Sequence, residues 1–458
     1  MAFTSRPPTG LTEDQRMHRT VTRKIAWRIV PLLGIAYFMA NLERANLGIA
    51  SLSMNESLGL TAATYGLAAG LYFVGYFVFE VPSNMALTRF GARKWLARIA
   101  ITWGLVATAT CFVQGPVSLN LMRILLGIAE AGLFPGVVFY FTLWFLPRDR
   151  AKMLAFFVIG SSLSGMIGPP LSGAIMSAWP HALFGLEDWR ALFIAEGLPS
   201  IVVGLVIWKV LVDRPDKARW LTAEQKTWLT TELAKHEAPA RHGSPLRSLA
   251  NPKILILSFS YFAKNCGGYV LVFFMPQIIK SINGDHLSTL VVSLLSAIPA
   301  AVTLVVSLLW AAHSDRRQER RWHAAIPMFV ATAGVVLAAA TSDPLLTMVG
   351  LILATAGVGS VGSSFFQLPS SFLTGPMVAV GIAAINATGN LGGFVGPYAF
   401  GVLEKSTGSF FAGNALLAAL LAAGGLVILL PMFRSRTPDA LGSGAVRTEV
   451  AGRRASGT

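Results

Sequence analysis

Long apolar runs separated by short polar stretches repeat along the whole chain. Each run is about 20 residues or more, which as a helix is enough to cross the ~30 Å hydrocarbon layer of a bilayer. The pattern predicts twelve spans, at 26–50, 62–88, 95–114, 117–146, 151–178, 189–211, 253–279, 288–311, 323–341, 344–367, 374–403 and 409–433. This is the pattern of an all-α membrane protein.

One long polar stretch, residues 212–252, divides the spans into two sets of six. Within it, Thr222 followed three residues later by Gln225 predicts the start of a helix. The predicted organisation is an N-terminal tail (1–25), an N-terminal six-helix bundle (26–211), a central loop (212–252), a C-terminal six-helix bundle (253–433) and a C-terminal tail (434–458).

The two halves resemble each other in sequence. The fifth span contains SSLSGMIGPPLSG (161–173) and the eleventh contains GNLGGFVGPYAFG (389–401). Without gaps, four positions match: Gly165, Gly168, Pro169 and Gly173 with Gly393, Gly396, Pro397 and Gly401. Close helix packing accounts for the glycines, and their equivalent positions indicate a duplicated six-span unit, as in transporters whose halves rock about a central site.

Charge is scarce, and its distribution gives a topology. The chain has 458 residues, 54% hydrophobic and 13% charged, with a net charge of +15. Nearly all of its Lys and Arg residues fall in the tails, the central loop and the loops on one side, which predicts that these are cytoplasmic. Only Arg190, Lys280 and Lys405 lie on the other side. A nucleic-acid partner is excluded, because its basic footprint would lie on one folded face.

Several other classes are disfavoured. The only cysteines, Cys111 and Cys266, lie in apolar runs and suggest neither a disulfide nor a metal site. The polar, basic N-terminus argues against a cleaved signal peptide. There is no nucleophile–base pattern, metal cluster or phosphate loop, so we expect no enzyme activity and no cofactor. The expected state is a monomer in the bilayer.

Charged residues inside the spans carry the candidate chemistry, because an ion at mid-bilayer costs about 2.5–3.5 kcal/mol and normally faces a cavity or a partner. Glu43 and Arg44 are about 100° apart on a helix and so cannot pair well with each other. Arg123 and Glu130 are two turns apart on one face, about 10.5 Å along the axis. They predict a cavity wall that serves an anion and a proton. The alternative is that these residues form fixed salt bridges between helices, either Glu130 with Arg44 or Glu43 with Arg123.

Lys264 lies near the middle of the seventh span, too deep to snorkel easily. It is interpreted as a second cation for a carboxylate, with a structural pair to a glutamate as the alternative. Glu80 and Glu196 are expected to be structural and to pair with basic residues. Four further polar residues are candidates either for the cavity or for helix–helix hydrogen bonds: Tyr72, Gln367, Asn386 and Asn390. The nearby Phe73, Phe365 and Phe366 suggest an aromatic lining.

Five stretches resemble the anion:cation symporter family of the major facilitator superfamily: NLERANLGIA (41–50), PSNMALTRFGARKW (82–95), RILLGIAEAGLFPG (123–136), WRALFIAEGLPS (189–200) and INATGNLGGFVGP (385–397). The resemblance covers both halves. It departs at Glu43, where the family usually has Asp, and at Thr88, which replaces an acid of the first loop motif. It implies a twelve-helix fold, proton coupling at Glu43 and Glu130, and a substrate carboxylate near Arg44 and Arg123.

The sequence therefore predicts a bacterial inner-membrane importer that carries a small organic anion with a proton. The carboxylate carried by such a protein is a hydroxy acid, a sugar acid or an aromatic acid. A proton-coupled drug antiporter is the first alternative, although the buried cations would repel a cationic drug. A membrane sensor that binds its ligand without transporting it is the second, although it would need no coupling acid.

Overall fold

Helices are the regular elements of the computed structural model, which describes residues 12–179, 185–236, 251–373 and 376–433. The first half contains α1 (Glu13–Ser57), α2 (Ala62–Phe90), α3 (Ala92–Ala109), α4 (Pro116–Glu130), α5 (Leu133–Trp144), α6 (Pro147–Ala178) and α7 (Asp188–Val210), and the short α8 (Ala223–Ala234) follows it. The second half contains α9 (Pro252–Asn283), α10 (Thr289–Arg317), α11 (Arg321–Ala340), α12 (Pro344–Ser360), α13 (Gly362–Phe365), α14 (Pro376–Asn390), α15 (Gly392–Thr407) and α16 (Phe410–Ile428).

The predicted all-α membrane fold with twelve spans is confirmed. Eleven helical stretches are long and apolar enough to cross a membrane. The remaining span, predicted at 374–403, consists of α14 and α15, which are separated at Leu391 in a glycine-rich stretch and are each shorter than a full crossing. The predicted tails and central loop include residues 1–11, 237–250 and 434–458, which lie outside the described residues.

The first helix begins earlier than predicted. It begins at Glu13 rather than near 26, and the Thr12 and Gln15 side chains form a capping box there. The extension contacts α8, where the indole nitrogen of Trp228 donates to Asp14 at 2.7 Å. The helix predicted from Thr222 is confirmed, because α8 begins directly after it with Thr222 as its cap. The early polar turns of α1 are therefore stabilised by the central loop.

The matched glycines of the two halves make equivalent contacts. A Cβ on Gly173 would lie against Ser293 of the opposite half, and one on Gly401 would lie 2.2 Å from the Ala62 carbonyl oxygen of the opposite half. Gly168 and Gly396 instead face their own halves, against α1 and α9 respectively. The glycines are therefore packing residues, and their matched surroundings fit two bundles related by pseudo-symmetry.

The two halves approach each other most closely at the end of the bundle remote from α8. A Cβ on Gly66 would lie 2.3 Å from the Pro397 carbonyl oxygen, and one on Gly48 would lie 2.8 Å from that of Val272. The Tyr65 hydroxyl also donates to the Phe273 carbonyl oxygen at 2.8 Å. This end of the interface is therefore closed by backbone contacts.

The fourth span is interrupted where the sequence predicts a continuous helix. Its first helix, α4, ends at Glu130, and Gly132 adopts a left-handed conformation with φ +90°. Ser83 of α2 donates to the Ala131 carbonyl oxygen at 2.6 Å and so satisfies a backbone group that the break leaves without a helical partner. The break places the Glu130 carboxyl at a helix end deep in the bundle.

We expect Gly132→Ala to destabilise the protein. An alanine in the left-handed region destabilises the backbone by about 1–2 kcal/mol. Its Cβ would also lie 2.5 Å from the Ser83 hydroxyl. Thermal unfolding of the detergent-purified protein measures the effect. Gly34→Ala is the control, since a Cβ there meets nothing within 4 Å. Equal unfolding temperatures for the two variants would contradict the assigned strain.

Candidate functional site

A cavity of about 410 Å³ lies between the two halves. It is formed by α1 and α6 from the first half and by α9, α10 and α12 from the second. Its polar lining consists of Asn41, Arg44, Ser161, Ser164, Tyr261, Lys264, Asn265, Tyr269, Ser296, Thr303 and Thr355. These donors and its volume suit a small polar molecule.

Each half contributes one cation to this cavity, Arg44 from α1 and Lys264 from α9. The Lys264 ammonium donates to the Asn265 side chain at 3.2 Å and lies 5.3 Å from the centre of the Tyr261 ring. Within the described ranges no carboxylate pairs with Lys264, so the structural glutamate pair considered above is not formed there. Its charge is available to an anion in the cavity.

Arg44 is already engaged on its other side. Its guanidinium donates to the Glu130 carboxylate and, at 2.7 Å, to the Tyr72 hydroxyl. The salt bridge between Arg44 and Glu130, one of the alternatives stated above, is thus present. The Arg44 side chain is 17% exposed and that of Glu130 is 4% exposed. Arg44 lines the cavity and Glu130 does not, so Arg44 connects Glu130 to a molecule bound there.

Arg123 lies behind this pair and is 1% exposed. None of its three guanidinium nitrogens has a hydrogen-bond partner among the described residues. The Tyr72 ring is close to both arginines, with its centre 5.0 Å from the Arg44 guanidinium carbon and 5.4 Å from that of Arg123. A buried guanidinium without acceptors is costly, so an acceptor oxygen that came within reach of Arg123 would be bound strongly.

Glu43 faces away from the cavity. It is 2% exposed and accepts a hydrogen bond from the Ser200 hydroxyl of α7. The alternative salt bridge from Glu43 to Arg123 is not formed. Glu196 accepts from Asn46 at 2.8 Å and from Ser172 at 2.6 Å.

The expectation that Glu80 and Glu196 pair with basic residues is wrong for the described part of the chain. Hydroxyl and amide donors satisfy the Glu196 carboxylate instead, and Glu80 has no ion pair there. A neutral donor satisfies a carboxylate oxygen without supplying a compensating charge.

Three other predicted contacts lie outside the cavity lining. The Gln367 amide donates to the Ser363 carbonyl oxygen at 2.9 Å, on an exposed turn. Asn386 and Asn390 are on α14, which contributes no residue to the lining. Their role as substrate contacts stays a prediction.

The tyrosines of α9 are cavity residues that were not among the predicted ones. Tyr261, Lys264, Asn265 and Tyr269 recur at helical spacing and form one face. Extending the helical period in both directions from Lys264 would have found them. The predicted aromatic residues pack against these tyrosines and do not line the cavity. The centres of the Phe73 and Tyr269 rings are 4.2 Å apart, and those of the Phe365 and Tyr261 rings are 5.5 Å apart.

Known proteins match the chain over most of its length. The Major Facilitator Superfamily profile matches residues 33–397. A protein of Agrobacterium vitis named "Putative tartrate transporter" is 42% identical over 413 residues, which are 90% of this chain and 91% of that protein. The "Quinolone resistance transporter" of Acinetobacter baumannii is 38% identical over 406 residues, 88% and 93% of the two chains.

A solved structure shares the fold. The crystal structure of a D-xylose-proton symporter matches with a TM-score of 0.73 at 15% identity, over 90% of this chain and 99% of that one. The superfamily match and the close relatives extend over both halves and include the cavity between them. The chain therefore belongs to the major facilitator superfamily, and it is a membrane transporter of organic substrates and not an enzyme.

Proposed function

We propose that the protein imports a small organic anion together with a proton, by alternating access of the central cavity. The observation that carries the proposal is that Arg44 and Lys264, one from each half, face the same cavity. A carboxylate bound between them would tie the two halves together. Two cations favour an acid with a second carboxylate or a polar far end, which the Asn265 amide and the lining hydroxyls would bind.

Proton coupling follows from competition for Arg44. When a substrate carboxylate binds the Arg44 guanidinium, Glu130 loses its cation while staying buried. A buried carboxylate without a counter-ion is more stable with a proton than without one. Binding of the anion thus favours uptake of a proton, and uptake of a proton equally favours binding of the anion. This mutual dependence is the thermodynamic condition for symport. Glu43 is proposed as the second coupling carboxyl, and Arg123 as a further hydrogen-bond donor for the substrate carboxylate, since its guanidinium has no acceptor among the described residues.

The orientation of the chain makes the structure an inward-facing state in this proposal. The distribution of Lys and Arg assigns the α8 side to the cytoplasm. The close contacts of Gly48, Gly66 and Tyr65 then seal the outer side. Substrate would leave the cavity towards the cytoplasm, where the proton is also released.

The relatives bear on the cargo in two ways. The name of the Agrobacterium vitis protein supports a hydroxylated dicarboxylate. The name of the Acinetobacter baumannii protein favours a second candidate, a proton-coupled drug antiporter. The Lys264 charge, which no carboxylate of the described residues balances, weighs against a cationic drug, because it would repel the drug across a low-dielectric space.

Uptake into proteoliposomes tests the proposal. We expect tartrate, or another member of a panel of hydroxy, sugar and aromatic acids, to accumulate when the outside is made acidic, and the accumulation to collapse when a protonophore is added. Cationic fluoroquinolone esters serve as the antiporter probes. Outward proton-driven movement of these probes, without accumulation of any acid, would reject symport in favour of the antiporter.

A further inference from the structure

Two buried carboxyls lie on the neighbouring helices α1 and α7, and neither belongs to the lining of the central cavity. Glu43 and Glu196 are each 2% exposed. Each accepts a hydrogen bond from the helix that carries the other: Ser200 of α7 donates to Glu43, and Asn46 of α1 donates to Glu196. Glu43 and Asn46 are three residues apart, and Glu196 and Ser200 four, so the two contacts form neighbouring rungs between the helices.

In the part of the chain that the structure describes, no cation balances these carboxyls. Within the described ranges, neither Glu43 nor Glu196 forms an ion pair with Lys, Arg or His. Two further groups from other helices interact with the Glu43 carboxyl: the Trp103 indole of α3, which is polar but uncharged, and the Glu130 carboxylate of α4. Glu196 of α7 adds another negative charge. Two ionised carboxylates at this depth would repel each other and would each pay a desolvation penalty of several kcal/mol.

The hydrogen bonds also leave acceptors without donors. The second oxygen of Glu43 and the side-chain oxygen of Asn46 are both buried and have no partner among the described residues. The Asn46 amide is held in this orientation by its bond to Glu196. An acceptor oxygen buried in this way needs a donor, and a protonated carboxyl is one.

We propose that Glu43 and Glu196 together bind one proton, forming a proton site that lies outside the substrate cavity and is distinct from Glu130. The added proton removes one of the two like charges and supplies a donor for the unpaired acceptors. The new assignment is that of Glu196, whose carboxyl shares the proton with Glu43. The role of this site in transport rests on the proposed symport, while the proton site itself does not.

The Glu43–Glu196 pair lies next to a residue of the substrate cavity. Arg44, which lines the cavity, is the residue after Glu43 on α1. The proposed proton site and the substrate site therefore meet at adjacent residues of one helix, so a change in the rotation of α1 would affect both.

Infrared spectroscopy of the substrate-free, full-length protein tests the assignment. A protonated carboxyl has a C=O stretching band that an ionised one lacks. We expect this band to be present at neutral pH and to persist in Glu130→Gln, but to be lost in the Glu43→Gln/Glu196→Gln double variant. Glu196→Gln alone should shift the pH midpoint of the band towards acid by about one unit or more, because the neighbouring negative charge is gone.

The controls separate this effect from misfolding. Glu196→Asp keeps a carboxyl and should keep the band near its original midpoint, and Glu56→Gln removes an exposed carboxyl and should change nothing. If Glu196→Gln does not fold, Glu43→Gln is the mirror variant and predicts the same acid shift. An unchanged midpoint in the single variants, or a band that disappears with Glu130→Gln, would overturn the proposal. Failure of the carboxylate uptake experiment would not affect it, since no substrate is present here.

Discussion

Glu130→Gln is expected to abolish uphill accumulation of the substrate while leaving exchange of substrate across the membrane intact. Glutamine keeps the size and the acceptor oxygen that bind Arg44, but it cannot take up a proton when a substrate carboxylate displaces it. The break at Gly132 holds this side chain at the end of α4, beside Arg44 and Tyr72. The variant should therefore fold and bind like the wild type and lose only the coupling.

Two assays on the same proteoliposomes separate the functions. Under an inward proton gradient, the internal substrate concentration should reach only the external one. In counterflow, with substrate inside and no gradient, labelled substrate should still enter at a rate close to wild type. Glu56→Gln, an exposed carboxyl at the end of α1, is the control and should accumulate normally. Normal accumulation by Glu130→Gln would remove Glu130 from the coupling mechanism.

The sequence was sufficient for the fold because the main determinants are local. Hydrophobic run length defines the spans, and the matched glycines at 165–173 and 393–401 identify the duplication, since packing requires a small residue at the same place in each half. The cap at Thr222 likewise depends only on residues three positions apart. The structure departs from the prediction where backbone conformation depends on neighbours, as at Gly132, whose left-handed turn is supported by Ser83 of another helix.

The candidate site could be predicted only in part. The spacing shows that Glu43 and Arg44 point in different directions, but not which of them faces the cavity, because the rotation of α1 is fixed by its packing against α6, α7 and α9. The structure directs Arg44 to the cavity and Glu43 to α7. The expectation of a basic partner for Glu196 failed for the same reason, since its partners, Asn46 and Ser172, are neutral and lie on other helices.

Lys264→Gln is expected to weaken binding of a dicarboxylate by at least about 2 kcal/mol, or roughly 30-fold, and to weaken binding of the matching monocarboxylate much less. In this structure Arg44 shares its charge with Glu130, whereas the partners of Lys264 among the described residues are the neutral Asn265 and the Tyr261 ring. Lys264 is therefore positioned for the second carboxylate of a substrate whose first carboxylate binds Arg44. Glutamine retains a donor at this position but removes the charge, so the loss should follow the number of carboxylates on the ligand.

Displacement of the labelled transported acid by malate and by lactate measures the difference, with Lys405→Gln, an exposed lysine, as the control. Equal weakening for both competitors would show that Lys264 acts on the shape of the cavity and not on a second carboxylate.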